Sequence, residues 1–177
     1  GDKAYANNPL LTEFDLAESH MFFLLYDGGL YTYDSIDPSS DYNLIAYPAG
    51  RVDSNVDIHT NTSLVSTNVF EGASHIQTVT MPNSLIGDFG LIFKETTGLQ
   101  NIILISNTRP QVLDEIDGVL YSSDFTVLYK YPEAKTNTSY TVNSSTITIN
   151  DAAFYGASNL TTVILPEGLV NIDSEAF

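Results

Sequence analysis

Closely spaced carboxylates are the side chains through which this sequence could bind a metal ion. Asp34, Asp37 and Asp41 offer the oxygen ligands that calcium prefers, but they lack the D-x-D-x-D-G register of a calcium-binding loop. A solvated loop is therefore the favoured interpretation. None of the three histidines has zinc-ligand spacing such as H-E-x-x-H. The sequence predicts no metal site and no cofactor.

The chain contains residue types that can act in catalysis, but they do not occur in the spacing of a catalytic motif. Two carboxylates flanking a groove are the minimum for glycoside hydrolysis, yet among 22 acidic residues some pair lies close by accident. No G-x-S-x-G elbow places a serine as a nucleophile, no glycine-rich loop could hold a phosphate, and there is no cysteine. The sequence therefore predicts no enzyme and no catalytic residue.

Charge and composition limit the partners. The chain has 22 acidic and 6 basic residues, a net charge of −16, and a pI near 4.1, so it has no basic stripe for nucleic acid. No apolar run approaches the roughly 18 residues of a membrane span, so no membrane insertion is expected. A hydrophobic fraction of 43% with 11 Tyr and 9 Phe indicates a folded protein with a packed core.

The elements that would position any site are repeats. The segment F-E-G-A-S at residues 70–74 returns as F-Y-G-A-S at residues 154–158, an offset of 84. Tyr47-Pro48 and Tyr131-Pro132 differ by the same offset. Self-similarity at a fixed offset indicates a repeat architecture.

A shorter period of 23 residues runs inside each copy. Four times an apolar residue precedes a Phe by twelve positions, in the pairs Ile58 and Phe70, Met81 and Phe93, Val142 and Phe154, and Leu165 and Phe177. The pattern predicts a β-rich solenoid whose coils of about 23 residues each contribute one short strand and one turn-rich return. Stacked coils would align like residues into apolar columns beside a ladder of parallel strands. Gly72 and Gly156 would supply the backbone freedom for the turn after the Phe.

Two segments outside the 23-residue coils are expected to be β-hairpins that project as flaps from the edge of the solenoid. The first is six residues longer, an insertion placed at Ile36 to Asp41. Alternation of Leu11, Phe14 and Leu16 suggests a degenerate first strand. We expect one domain over 1–177, divided into a cap or degenerate strand at 1–25, a hairpin at 26–47, repeats at 48–104, a linker and hairpin at 105–132, and repeats at 133–177 with an uncapped C-terminal end.

A binding surface on such a fold would lie on the outward positions of successive strands, which align into one face. These positions are Asn55, Asp57, His59, Thr78, Thr80, Asn101, Ile103, Ser139, Thr141, Thr162 and Ile164. An ordinary solvated strand face, where β-branched residues simply suit strands, is the competing interpretation and the one favoured by about two to one. Ile103, Ile105 and Ile164 favour binding, because adjacent exposed aliphatic side chains would form an apolar strip.

The sequence D-A-A-F-Y-G-A-S-N-L-T-T-V-I-L-P at residues 151–166, with D-G-V-L-Y at 117–121 and Y-P at 131–132, closely resembles the leucine-rich repeats of the BspA-like bacterial surface proteins. The resemblance covers about 116–177 well and 27–104 in a more diverged form. It departs where Val69 replaces the usual Ala. It implies a horseshoe-like fold, an exported or surface-displayed protein used in adhesion, and no enzymatic activity.

The sequence leaves three alternative functions. The first is a non-catalytic adhesion module, extracellular or on the cell surface, whose partner is a protein or glycan on a host or neighbouring cell. The second is a small parallel β-helix enzyme acting on acidic polysaccharide, and the third is a structural spacer. Self-association of two chains end to end through the uncapped C-terminal coil is a further possibility.

Overall fold

The computed structural model describes residues 8–17, 20–33 and 41–177. Short strands and turns account for nearly all of the regular structure in these residues, and the one helix is a single turn. In chain order the elements are β1 Phe23–Tyr26, β2 Gly29–Tyr33, β3 Tyr42–Ala46, β4 Asn55–Asp57, β5 Thr62–Val65, β6 Thr78–Pro82, α1 Phe89–Ile92, β7 Asn101–Ile105, β8 Leu113–Ile116, β9 Val119–Ser122, β10 Val127–Lys130, β11 Ser139–Thr141, β12 Thr148–Ile149, β13 Thr162–Ile164 and β14 Asn171–Ile172.

Parallel strands pair with a spacing of 23 residues, which confirms the predicted solenoid. Asn55 of β4 pairs with Thr78 of β6, and Thr78 pairs with Asn101 of β7. Ser139 of β11 pairs with Thr162 of β13 at the same spacing. Each coil therefore advances the chain by one strand in the ladder.

Aromatic rings form the predicted columns on the return side of the coils. Phe70 stacks on Phe93 with 5.7 Å between ring centroids, and Tyr47 meets Phe70 edge to face at 5.4 Å. In the second copy Tyr131 stacks on Phe154 at 5.4 Å, and Phe154 stacks on Phe177 at 5.1 Å. Each column contains three rings: the tyrosine of the Tyr-Pro pair begins it, and two phenylalanines continue it.

Turns with positive φ follow the first phenylalanine of each column. Gly72 has φ +81° and Gly156 has φ +74°, a conformation in which a side chain on any other residue is strained. The predicted role of these two glycines is confirmed.

Three of the coils hold a second short strand, β5, β12 or β14, which the sequence did not predict. β3 pairs in parallel with β5, and Leu64 of β5 bridges to Ile86; in the other half of the chain β10, β12 and β14 pair in parallel. The expectation of one strand per coil is therefore wrong. Segments of two to four residues satisfy backbone hydrogen bonds between coils without a visible alternation of their own.

Neither hairpin is a projecting flap. β1, β2 and β3 form an antiparallel meander whose last strand joins the parallel strands, and β8, β9 and β10 do the same. Their apolar side chains are core residues, with Tyr31 and Tyr121 1% exposed or less. The tight turns between the first two strands of each meander are Asp27-Gly28 and Asp117-Gly118, with positive φ at both residues, as in a type I′ turn.

The N-terminal segment differs from the expectation of a strand. Residues 11–17 form no strand, and the backbone carbonyl of Leu11 instead accepts a hydrogen bond of 2.8 Å from the Gly50 amide. The first strand begins at Phe23, inside the segment assigned to a cap. Of the predicted insertion, only Asp41 lies within the described residues.

A buried ion pair lies where the two halves of the chain meet. Lys130 is fully buried, and its Nζ donates to Glu133 Oε1 at 3.4 Å and to the Ala152 carbonyl at 3.3 Å. Glu133 Oε1 also accepts the Glu95 amide at 3.0 Å, which ties the pair to the preceding coils. Burial lowers the pKa of Lys130 and raises the pKa of Glu133. The positions 84 residues earlier hold Ala46 and Ala49.

Replacing Phe70 by Ala should lower the free energy of unfolding by about 3 to 5 kcal/mol, because a fully buried ring with neighbours on both sides is removed. Phe177 is the control: it is the last ring of the second column, is 60% exposed and stacks on one side only. Phe177→Ala should cost about 1 kcal/mol or less. Urea denaturation followed by circular dichroism measures both, and equal losses would contradict the column.

Lys130→Ala or Glu133→Ala alone should destabilise by about 3 to 5 kcal/mol, because each leaves an uncompensated buried charge. The double variant recreates the alanines found in the first half and should be more stable than either single variant. A double-mutant cycle from urea denaturation measures the coupling. Additive losses would show that the two side chains stabilise the fold independently.

Candidate functional site

The outward residues of the strand ladder lie together as predicted, but in two groups. In the first ladder (β4, β6, β7) Asn55, Thr78 and Asn101 form one row. Asp57, Thr80 and Ile103 form the next row. Alternation along each strand directs these side chains outward, since Val56, Val79 and Ile102 between them are buried.

The second ladder (β11, β13) contains the remaining predicted residues. Ser139 pairs with Thr162, and Thr141 pairs with Ile164. All four are exposed. A groove of about 380 Å³ lies beside Thr141 and Ile164 and is also lined by Leu165.

A hairpin turn separates the two ladders. The Gly118 carbonyl accepts the Ile102 amide at 3.3 Å, so the Asp117-Gly118 turn occupies the edge of β7. Gly118 has φ +75°, and a Cβ there would lie 3.1 Å from the backbone Cα of Asn101, which explains why a glycine is needed. From the same hairpin, Tyr121 makes a 2.6 Å hydroxyl–hydroxyl hydrogen bond with Tyr140 of β11. The five predicted strands therefore do not form one continuous face.

Exposed aliphatic side chains are present on both ladders but do not form a strip. Ile103 is 46% exposed and Ile164 is 51% exposed. Ile103 ends a row at the edge of the first ladder, where the hairpin turn follows, and Ile164 has Thr141 as its ladder neighbour. The hairpin separates Ile164 from Ile103 and from Ile105, which follows two residues later on β7 and is half-buried, so the prediction of one strip through all three is wrong.

The first hairpin closes the other edge of the first ladder. Asp27 Oδ2 accepts the Asp57 amide at 2.7 Å, which satisfies a donor that an open strand edge would leave unpaired. The hydroxyl of Tyr31 accepts the His59 amide at 3.3 Å. Burial raises the pKa of Tyr31 well above its ordinary value, so the hydroxyl keeps its proton.

His59 differs from the other ten predicted residues, because it follows β4 and packs against aromatic rings. Its ring is 4.9 Å from that of Tyr26 and 4.6 Å from that of Tyr42, edge to face in both cases. The Nδ1 atom accepts the Asn61 amide at 3.1 Å. Burial lowers the pKa of His59, so the imidazole is neutral at pH 7. Sequence reasoning missed the two tyrosines, which come from the first hairpin.

Acid-rich segments do not assemble a metal site in the part of the chain that the structure describes. No group of three or more His, Cys, Asp or Glu residues there is placed to hold a metal ion. Asp41 forms an ion pair with Arg109, and the neighbouring Asp34 and Asp37 lie outside the described residues. Within the described ranges, no helix is long and apolar enough to cross a membrane.

Comparisons with solved structures support the fold. A leucine-rich repeat protein from Eubacterium ventriosum is similar with a TM-score of 0.61 at 24% identity, over 70% of this chain and 32% of that one. A leucine-rich cell surface protein from Faecalibacterium prausnitzii is similar with a TM-score of 0.50 at 23% identity, over 86% of this chain and 39% of that one. This chain thus spans well under half the length of either protein. No curated protein matches it.

A family model matches more than half of the sequence. The model describes the BspA type leucine-rich repeat region, and its six copies cover residues 53–115 and 129–177. The first meander, up to Ala46, precedes the matched residues, and the turn between β8 and β9 lies in the gap between them. The sequence match agrees with the 23-residue repeats, the stacked aromatic columns and the parallel ladder. The chain belongs to the BspA-type leucine-rich repeat family.

Proposed function

We propose that this chain is a non-catalytic interaction module of a bacterial protein displayed on the cell surface or secreted, and that it binds a protein or glycan through the outward faces of its two ladders. The observation that carries the proposal is the register of the strands. Pairing residue to residue between coils places polar side chains in rows beside the exposed Ile103 and Ile164. Each ladder therefore offers a partner a row of hydrogen-bonding groups with an apolar contact beside it, a combination that protein interfaces use.

Surface display is supported by one of the similar structures, which is described as a cell surface protein. The fold also suits binding, because repeat proteins offer extended surfaces built from successive coils.

The enzyme alternative is disfavoured by the positions of the arginines. An enzyme that acts on acidic polysaccharide needs a cation next to the substrate carboxylate. Arg51 pairs with Asp53 and Arg109 pairs with Asp41, and these are the chain's two arginines. A spacer would hold another domain away from the surface and would have no ligand of its own.

Changing Ile103 and Ile164 together to Glu should weaken binding to any partner at least about tenfold, because exposed anchors often carry more than 1 kcal/mol each. Binding is measured by surface plasmon resonance against a panel of host extracellular matrix proteins and by a glycan array. The matched control is Ile86→Glu with Val170→Glu, which adds the same charge outside both ladders. Ile86 is 63% exposed and bridges to Leu64 of β5, and Val170 is 75% exposed and directly precedes β14.

Equal binding by the ladder variant and the control would exclude the ladders as the binding surface. Turnover in a polysaccharide cleavage assay would favour the enzyme. Absence of both binding and cleavage would favour the spacer.

A further inference from the structure

Three rings, Tyr26, Tyr42 and His59, form an aromatic platform. It lies beside β4, the strand at the edge of the first ladder. His59 packs edge to face against both tyrosines, at 4.9 and 4.6 Å between ring centroids. Tyr26 is 39% exposed, while Tyr42 and His59 are half-buried. The contacts fix the exposed ring of Tyr26 in place, so little side-chain entropy remains to be lost when a ligand packs on it.

The fold itself does not require these aromatic side chains, because the second half of the chain builds the same elements without them. The two halves share the hydrogen bond at this place: the Tyr121 hydroxyl accepts the Asn143 amide at 3.5 Å, as the Tyr31 hydroxyl accepts the His59 amide. The positions equivalent to the platform, by the offset of 90 in the first two meander strands and 84 elsewhere, hold Ile116, Thr126 and Asn143. A platform confined to one copy points to a role other than folding.

Polar groups border the platform along β4. Asn55 and Asp57 project outward on the same side of the strand as His59 and are exposed, and no hydrogen bond or ion pair engages their side chains within the described residues. Because His59 Nδ1 accepts the Asn61 amide, the proton of the neutral ring is on Nε2, where it can be donated. The Asp57 carboxylate and the His59 imidazole N–H thus lie beside the platform, and the Asn55 amide lies one outward position further along β4.

We propose that the aromatic platform and β4 bind a neutral saccharide. The negative face of an aromatic ring attracts the polarised C–H bonds on the flat face of a sugar ring, and a few placed polar groups fix the hydroxyls. A net charge of −16 and the Asp57 carboxylate oppose uronic, sulfated or sialylated sugars. This inference rests on the proposed function, since it names the ligand class for one end of the proposed binding surface.

The test is a titration of the full chain with maltohexaose, cellohexaose, mannohexaose and hexa-N-acetylchitohexaose, followed by ¹H–¹⁵N correlation spectra. At least one of the four should cause saturable shifts at the amides of Tyr26 and residues 55–59. The variant Tyr26→Ile, Tyr42→Thr, His59→Asn gives the first half the residues of the second, so it should fold, as its own spectrum will verify. It should lose about tenfold or more in affinity, as for an aromatic hot spot.

The Ile86→Glu, Val170→Glu chain serves again as the control and should bind the saccharide as the unchanged chain does. No shifts with any of the four saccharides, or equal affinity in the triple variant, would overturn the inference. Loss of binding to a matrix protein alone would assign the platform to a polypeptide and overturn it too. The proposed function is tested separately, because it stands or falls with the effect of Ile103→Glu and Ile164→Glu on partner binding.

Discussion

The stacking of one aromatic ring on the next at an interval of 23 residues is the constraint on which the rest of the structure depends. Phe70 over Phe93 and Phe154 over Phe177 fix the distance between coils, and strands of three to five residues can pair only when that distance is held. A strand as short as β4 offers few hydrogen bonds and little apolar area. The column therefore supplies the burial that such strands cannot supply alone.

The two meanders solve a problem that the coils create. A ladder of parallel strands has two open edges, each with unpaired backbone groups. Asp27 closes one edge of the first ladder by accepting the Asp57 amide, and the Gly118 carbonyl closes the other by accepting the Ile102 amide. The same hairpins begin each aromatic column with Tyr47 or Tyr131. They are thus parts of the solenoid, although their sequence lacks its period.

Periodic features could be read from the sequence, and features built from distant segments could not. Spacing alone gave the period, the columns and the row of Asn55, Thr78 and Asn101. The second strands were missed because Thr148–Ile149 is too short to show alternation. Burial of Lys130 had a signal, since it shares the inward parity of Leu128 on β10, but a lysine is assumed to face solvent. The aromatic platform had none, because Tyr26, Tyr42 and His59 meet only after folding.

The edge-closing turn at Gly118 has a consequence for how such a chain can grow. Each 84-residue copy brings its own meander, which docks on the exposed last strand of the copy before it and offers a new starting ring for its own coils. Elongation by whole copies therefore covers the last strand of each copy with the meander of the next, so an open β-edge remains only on the last copy. A single-coil insertion of 23 residues would preserve the column as well, whereas the meanders set the larger interval at which the surface is interrupted.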